Sequence, residues 1–385
     1  MSTRQMKLYD KANSILEIRQ DARDYQNVFE RIRRLCDAFD KHPASAYETS
    51  IIKQACDDVV AGSAAGEAAR FALREHVVEE IGRLSDEELP RYICYRYRYD
   101  VFPYKKQLDD FPPCLQIEPA SICNYRCVFC YHTDRELTLP KNGYMGLMTL
   151  ELFKKVIDQA EGKCEALSLA SRGEPLINRD IEDMLAYAAG KFLALKINTN
   201  AWFLDERKSH AILQAGVSTL VFSADAASEP LYSQLRVNGK LDRILANIRQ
   251  FQEIRAHHYP DSITITRVSG VRFGDDQNLD DMEQFWGDLV DQVAFVKYNP
   301  WENTYDRPVN DVTTPCSDLW RRMFVWWDGT INPCDVDYLS TLAVGDADNE
   351  ELSEIWNGDK YNALRKAHLA CRRNSITPCM RCTFV

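Results

Sequence analysis

The chain predicts an α/β protein: a partial (β/α)6 barrel between an N-terminal helical domain and a C-terminal metal-binding unit. Three observations carry that reading. From residue 115 onward, short apolar runs rich in β-branched residues alternate with amphipathic helical segments, the pattern of βαβ units and a parallel sheet. Six such runs fall short of the eight strands that close a full barrel. Finally, thiols crowd at two places: Cys123, Cys127 and Cys130 just past the first run, and Cys316, Cys334, Cys371, Cys379 and Cys382 near the C-terminus.

At 385 residues the chain is too long for one ordinary core, and with 45% hydrophobic residues it can build several. The divisions expected are residues 1–108 for the helical domain, 109–308 for the barrel and 309–385 for the cysteine-rich unit. A net charge of −11 argues against a broad nucleic-acid-binding face. No apolar run reaches the ~18 residues of a membrane helix, and residues 1–30 are highly charged without a signal-peptide core. The expectation is a cytoplasmic enzyme with neither nucleic acid nor membrane as partner. In a reducing compartment thirteen cysteines do not form a disulfide framework. The scattered Cys36, Cys56, Cys94, Cys114 and Cys164 are expected as small buried apolar residues.

Taken in order, apolar residues at helical spacing mark three faces: Val28, Phe29, Ile32, Leu35, Cys36 and Phe39; Ile52, Cys56, Val59 and Val60; Val77, Ile81 and Leu84. Residues 91–99 alternate tyrosine and arginine. That reads as a solvated connection packed against the next domain, with stacking on a base or ring as the alternative. Strands are expected at 115–118, 166–170, 193–198, 219–223, 263–268 and 293–298. Helices are expected at 149–160, 180–189, 205–215 (closed by Gly216), 241–257 and 279–290. In the tail, 322–327 and 331–334 read as a hairpin with a two-residue turn at Asp328-Gly329, followed by one helix over 352–368.

Three thiols within eight residues, with no fourth at a matching interval, suit an iron-sulfur cluster that keeps one iron open. A zinc site needs a fourth ligand to close its tetrahedron. The spacing Cys123-x3-Cys127-x2-Cys130, with Phe129 directly before the last cysteine, resembles the radical S-adenosylmethionine (SAM) superfamily. The resemblance covers most of residues 113–270. It implies that the three cysteines hold a [4Fe-4S] cluster whose open iron is chelated by SAM, that Phe129 lies near the adenine, and that an external donor such as flavodoxin or ferredoxin supplies the electron. Arg172-Gly173-Glu174-Pro175 is similar to the family's GGEP motif, with arginine where the first glycine is usual; Gly173 and Glu174 are thereby implied at the methionyl amino group. Asn198 and Asn200 at the end of the third strand, and Ser223 and Asp225 at the end of the fourth, are implied as further SAM contacts, with Arg236 as the partner of its carboxylate. For Asn200 and Asp225 a turn or helix cap is the plain alternative.

Cys316-x12-Gly329-x4-Cys334, followed by Cys379-x2-Cys382, resembles the SPASM/twitch group, and most nearly the shortened twitch of the aminocyclitol dehydrogenase type. It implies one auxiliary [4Fe-4S] cluster on those four cysteines, with Cys371 spare or replacing one of them. A zinc ribbon is the structural rival. Candidate bases or substrate clamps are Arg172, Arg267, Lys297 and Tyr298. Strand parity lets only one of Arg267 and Val268 face inward, and an arginine binds rather than deprotonates. The outcome implied is hydrogen abstraction from a sugar, aminocyclitol or other small polar substrate, ending in a two-electron oxidation. Modification of a ribosomally made peptide, docked on the N-terminal domain, and a non-enzymatic cluster protein are the competing readings.

Overall fold

The computed structural model describes residues 7–12, 15–17, 22–38, 45–62 and 70–384; Phe39 lies outside them. The chain begins with β1 (Lys7–Ala12) and β2 (Ile15–Glu17), then α1 (Ala22–Ala38), α2 (Ala46–Val60), α3 (Glu75–Ile81) and α4 (Leu89–Asp100). A capping box starts α2: Ser45 Oγ accepts the Glu48 N–H at 3.2 Å and the Glu48 carboxylate accepts the Ser45 N–H at 2.9 Å. Val28, Ile32, Leu35, Ile52, Val59, Val77 and Ile81 meet in one core, as their spacing implies, whereas Val60 is exposed.

Three features of this region depart from the sequence reading. The first is the pair of strands, which joins the barrel sheet. Another is a Cys36–Cys56 disulfide between α1 and α2, where separate thiols were expected. The third is α4 itself, which is no solvated connection: Tyr92, Tyr95, Arg96, Tyr97 and Tyr99 are buried. The helix is wedged between the helical core and the strand ends at Cys114 and Ala166, which leaves only Arg91, in its first turn, exposed. Its arginines are paired, Arg96 with Asp100 at 2.9 Å and Arg98 with Asp109.

After a short α5 (Phe102–Lys105) the barrel follows: β3 (Cys114–Ile117), β4 (Arg126–Cys127), α6 (Arg135–Thr138), α7 (Leu150–Ala160), β5 (Ala166–Leu169), α8 (Ile181–Ala188), β6 (Ala194–Thr199), α9 (Glu206–Gln214), β7 (Thr219–Ser223), α10 (Glu229–Leu235), β8 (Arg236–Val237), α11 (Leu241–His258), β9 (Ile265–Arg272), α12 (Leu279–Gly287) and β10 (Gln292–Lys297). Thr149 caps α7 and Asp205 caps α9 through side-chain oxygens; Gly216, at φ +67°, ends α9. The fifth strand of the series starts two residues late because Ser262 and Thr264 form a side-chain-bonded turn. It runs on to Arg272, since Gly270 has no Cβ to meet the Ala224 carbonyl.

The cysteine-rich unit adds β11 (Arg322–Val325), β12 (Thr330–Asn332), β13 (Gly345–Asp346), α13 (Leu352–Asn357) and α14 (Asp359–Leu369). The hairpin is present, but its loop is residues 326–329, closed by the Trp326 N–H on Thr330 O at 2.9 Å. The expected single helix is broken at Gly358, which takes an extended conformation.

All the strands except β4 and β8 form one sheet in the order β13-β12-β11-β3-β5-β6-β7-β9-β10-β1-β2. From β11 through to β1 every neighbouring pair is parallel. The six-strand barrel is therefore extended at one edge by β1 and β2, from a region expected to be helical, and at the other by the strands of the cysteine-rich unit, and it stays open. Leu115, Leu167, Ile197, Phe222, Val268 and Phe295 pack under the helices, so Ser168, Lys196, Asn198, Ser223 and Ser269, on alternate positions, face the lumen. Among the described residues no helix is long and apolar enough to cross a membrane.

Asp291 locks α11 to the sheet, accepting from Arg255 at 2.6 Å and from the Thr266 N–H and Oγ1 at 2.8 Å each. Burial pushes its carboxyl up, but the hydrogen bonds and charge of Arg255 and Thr266 outweigh this and hold it below the usual range. A depressed carboxyl contributes stability above its unfolded value and loses it as pH falls through the folded one. Asp291→Asn should cost about 2 kcal/mol in urea unfolding at pH 7, with the gap to wild type closing below about pH 4.

Candidate active site

The loop after β3 is pressed against the loop after β5. Gly173 makes this possible: a Cβ there would lie 2.3 Å from Ala120 O and 2.6 Å from Ile122 O. The Glu174 N–H donates to Ile122 O at 2.9 Å. Asn178 ties the same loop down through Pro119 O and Met148 O, at 2.7 and 2.9 Å. On its other side β4 pairs antiparallel with β8, Cys127 opposite Arg236.

Each loop thiol has neighbours that fix it. Cys123 Sγ accepts from the Tyr125 N–H at 3.4 Å and from Asn200 Nδ2 at 3.8 Å. Arg236 Nη1 donates to Cys127 Sγ at 3.8 Å. The Cys130 N–H donates to Cys127 O at 3.1 Å. Burial pushes the Cys123 thiol up to about 12 and raises Cys127 and Cys130 as well; negative charge on any one disfavours it on the others. Three thiols, Cys127 buried and Cys123 and Cys130 half-buried, that repel one another as thiolates are a donor set for a cationic multi-iron group. Among the described residues no three Cys, His, Asp or Glu side chains gather tightly enough for a single metal ion.

Around the loop the structure brings together most of the expected cofactor residues. Glu174 is buried, accepting from Thr199 Oγ1 at 2.6 Å, the Asn200 N–H at 2.7 Å and the Leu176 N–H at 3.1 Å, and burial raises its carboxyl to about 7. Its oxygens thus pin the end of β6 to the loop after β5. Asn200 bridges on to Asn124 Oδ1 at 2.9 Å. Asn198 Oδ1 is buried in the lumen with no hydrogen-bond partner, and Ser223 lies level with Ser269 at the end of β7. Asp225 accepts the Val271 N–H at 2.6 Å and pairs with Arg236 at 2.5 Å. Arg236 is therefore held by Asp225, by Cys127 and over the Phe129 ring at 5.8 Å. Phe129 packs at a tilt against Phe273, and Phe273 meets Tyr298 edge-on, with centroids 5.6 and 5.0 Å apart.

The candidate substrate residues divide. Arg172 is not a free cation in the cavity: its Nε and Nη2 meet the Glu118 carboxylate at 2.8 and 2.6 Å, its Nη1 donates to Tyr338 O at 2.9 Å, and it lies over the Trp326 ring. Arg267 does face inward, but near the start of β9, where it donates to Gln292 Oε1 at 2.7 Å; Gln292 donates in turn to Glu79 of the helical domain. That places it at the floor of the barrel, away from the cysteine loop. Lys297 ends β10, and its side chain lies outside the described residues. Tyr298 is at the mouth with its hydroxyl on Glu302; burial and that carboxylate raise it to about 12, so at neutral pH it donates a proton rather than taking one.

In the tail, Cys316, Cys334, Cys379 and Cys382 are electrostatic neighbours, and burial raises Cys316, Cys334 and Cys379. Cys371 is exposed and left-handed at φ +56°. Residues the sequence reading passed over hold this site. Arg373 is buried and donates to the carbonyls of Cys379, Thr314, Cys382 and Phe384. Burial pushes His368 down to about 4, so its neutral ring accepts the Cys316 N–H at 3.2 Å. Asn332 donates to Cys334 O at 2.7 Å. Gln116 Nε2 lies 3.4 Å from Asp335 Oδ2, which brings the residue after Cys334 to the barrel strand β3. Only Glu118, an acid closing an apolar strand, carried a sequence signal, and a weak one.

Residues 117–284 match the family model of the radical SAM superfamily, and residues 316–383 match that of the SPASM iron-sulfur cluster-binding domain. The chain carries a radical SAM domain followed by a SPASM iron-sulfur cluster-binding domain. SAM, a [4Fe-4S] cluster and auxiliary iron-sulfur binding come with those two domains. Among curated relatives, this radical SAM chain is 23% identical over 214 residues to the GTP 3',8-cyclase of Listeria welshimeri, matching 53% of this chain and 61% of the cyclase, and 24% identical over 298 residues to that of Rhodococcus opacus, matching 64% and 83%. The chain thus spans about three fifths of the length of the first of these. Among solved structures, Streptococcus suis SuiB bound to the precursor peptide SuiA aligns with 94% of this chain and 89% of its own, at TM-score 0.55 and 14% identity. Native anSMEcpe with bound AdoMet aligns over 66% and 83%, at 0.51 and 15%. BtrN in complex with AdoMet and 2-DOIA covers 72% and 95%, at 0.49 and 18%.

Gly173→Ala forces the cysteine loop away from the loop after β5. It should destabilise the chain by about 1–3 kcal/mol and lower iron bound at the first site after reconstitution, both read on the same preparation by denaturant unfolding and iron assay.

Proposed function

We propose that the chain removes a hydrogen atom from a small polar substrate and completes a two-electron oxidation with help from a single auxiliary cluster on Cys316, Cys334, Cys379 and Cys382. Cys123, Cys127 and Cys130 would hold the [4Fe-4S] cluster, which together with SAM and a reductant would supply the radical chemistry that removes the hydrogen atom. The observation that carries the oxidation is the approach of Asp335, next to Cys334, to Gln116 on β3: the second thiol set adjoins the barrel that holds the first. A cluster on those four cysteines would accept the second electron from the substrate.

The chain's own residues position and exclude. Phe129, Phe273 and Tyr298 form an aromatic row beside the cysteine loop, buried at Phe129 and open to solvent at Phe273, that covers one side of the site. Asn198 offers an unused acceptor inside the lumen. Glu174, Asn200 and Arg236 set the walls against which SAM binds, Arg236 acting chiefly through Asp225 and Cys127.

A second reading, modification of a ribosomally made peptide, is favoured by a different observation. The likeness to peptide-bound SuiB extends over the N-terminal region, and β1 and β2 add strands at the sheet edge, where an extended peptide could pair. The cyclase relatives, matched over roughly half to two thirds of this chain, support shared radical chemistry and leave the substrate open.

Anaerobic, reconstituted protein with dithionite should convert SAM to 5′-deoxyadenosine; absence of that product removes both enzyme readings. The triple variant Cys123→Ala/Cys127→Ala/Cys130→Ala should fall from about eight irons to about four and lose cleavage, with the auxiliary absorbance retained. Deuterium carried into 5′-deoxyadenosine from labelled sugars or from labelled peptide then separates the first reading from the second.

A further inference from the structure

The segment leaving β10 is strung between the two cysteine sites. Trp301 stacks on Tyr131, the residue after Cys130, with centroids 5.8 Å apart and planes at 11°. Tyr298 reaches Phe129, the residue before Cys130, through Phe273. At the other end, the Arg307 carbonyl accepts from Arg381, inside the Cys379-x2-Cys382 pair, and the Asn310 N–H donates to Met380 O at 3.0 Å. Tyr305 anchors the middle by donating to Asp337 at 2.7 Å.

This segment carries a cation whose donors are mostly unused. Arg307 is 8% exposed. Its Nη1 donates to Asn299 Oδ1 at 3.0 Å, while Nε and Nη2 are buried with no hydrogen-bond partner. Glu302, the acid nearby on the same segment, accepts the Tyr298 hydroxyl on Oε1, and its Oε2, likewise buried, makes no hydrogen bond to Arg307 or to any other described group. Among the described residues, no other arginine has two guanidinium nitrogens in that state. Arg172 and Arg373, buried as deeply, have all three nitrogens engaged.

A buried charge with unmet donors is costly, and native interiors complete such groups. The free edge, Nε with Nη2, is the fork that receives two oxygens of a carboxylate or phosphate side by side. We infer that Arg307 is the anion-binding residue of the substrate subsite, and that the substrate carries a carboxylate or phosphate. This rests on the radical SAM reading of the barrel and narrows its substrate from small and polar to small and anionic.

The test uses the full chain, reconstituted and anaerobic, titrated separately with malonate and with pyrophosphate while tryptophan fluorescence and the thermal midpoint are followed. One probe should bind saturably and raise the midpoint; a carboxylate substrate favours malonate and a phosphorylated one favours pyrophosphate. Arg307→Met should weaken that probe at least about tenfold. Arg307→Lys, which keeps the charge and loses the fork, should fall between the two. No saturable response in the wild type, or wild-type affinity in either variant, overturns the assignment. SAM cleavage by the wild type is scored separately: loss of cleavage with anion binding intact overturns the radical reading and leaves the anion site standing, and the reverse result removes only the subsite.

Discussion

The ion pair between Glu118 and Arg172 is the joint on which both cysteine sites depend. Glu118 closes β3, the strand that delivers the cysteine loop, and is fully buried. Its carboxylate takes Nε and Nη2 of Arg172 and the Arg172 N–H, while its own N–H donates to Val325 O at the end of β11. Arg172 continues to Tyr338 O in the C-terminal unit. One pair thereby fixes the first strand, the Arg-Gly-Glu-Pro loop and the auxiliary hairpin relative to one another. Removing either partner of such a pair leaves an uncompensated buried charge, at about 3–5 kcal/mol. The departure from the family's first glycine thus has a structural cause: the arginine spans a gap that two domains share.

That joint also explains why the sheet does not stop at the barrel. With Glu118 bonded to β11, the strand runs parallel to β3 for four residue pairs, from Arg322 opposite Cys114 to Val325 opposite Ile117. The auxiliary unit is consequently a continuation of the barrel wall. At the floor the same logic operates in the other direction. Arg321 and Arg322 reach Tyr99 on α4, and Gln292 links Arg267 to Glu79 on α3, so the helical region closes the barrel's lower end. Chemistry is left to the upper end, where strand ends and loops are free to carry it, as in other parallel α/β folds.

Local pattern made the barrel legible. Strands such as 219–223 and helix starts at Thr149 and Asp205 could be read directly because alternation and capping act between near neighbours. The cysteines and Gly173 were readable for the same reason, since a cluster loop and a close backbone approach each need particular residues at fixed spacing. What failed was whatever depended on distant partners. The Tyr-Arg alternation over 91–99 looks solvated until Cys114 and Ala166 arrive to bury it. Arg172 and Arg267 both looked like substrate cations because Glu118 and Gln292, which occupy them, come from other strands. The Cys36–Cys56 bond joins two helices whose packing no local pattern gives.

Arginines make the division between framework and site visible. Most of the buried ones are staples: Arg172 on Glu118, Arg236 between Asp225 and Cys127, Arg373 on four carbonyls around the C-terminal cysteines. Each spends its donors on backbone or acids that must not move, which is how a planar, always charged group rigidifies a loop. A thiolate-bound cluster shifts with its loop, so these staples set the separation of the two cysteine sites before any cofactor binds. Polar groups that the protein leaves open in the same region, Asn198 Oδ1 in the lumen and two nitrogens of Arg307 on the connecting segment, are set apart from that framework by lacking any internal partner. The rigid set holds the geometry of the two cysteine sites, and the open set leaves polar atoms that no group of the described chain completes.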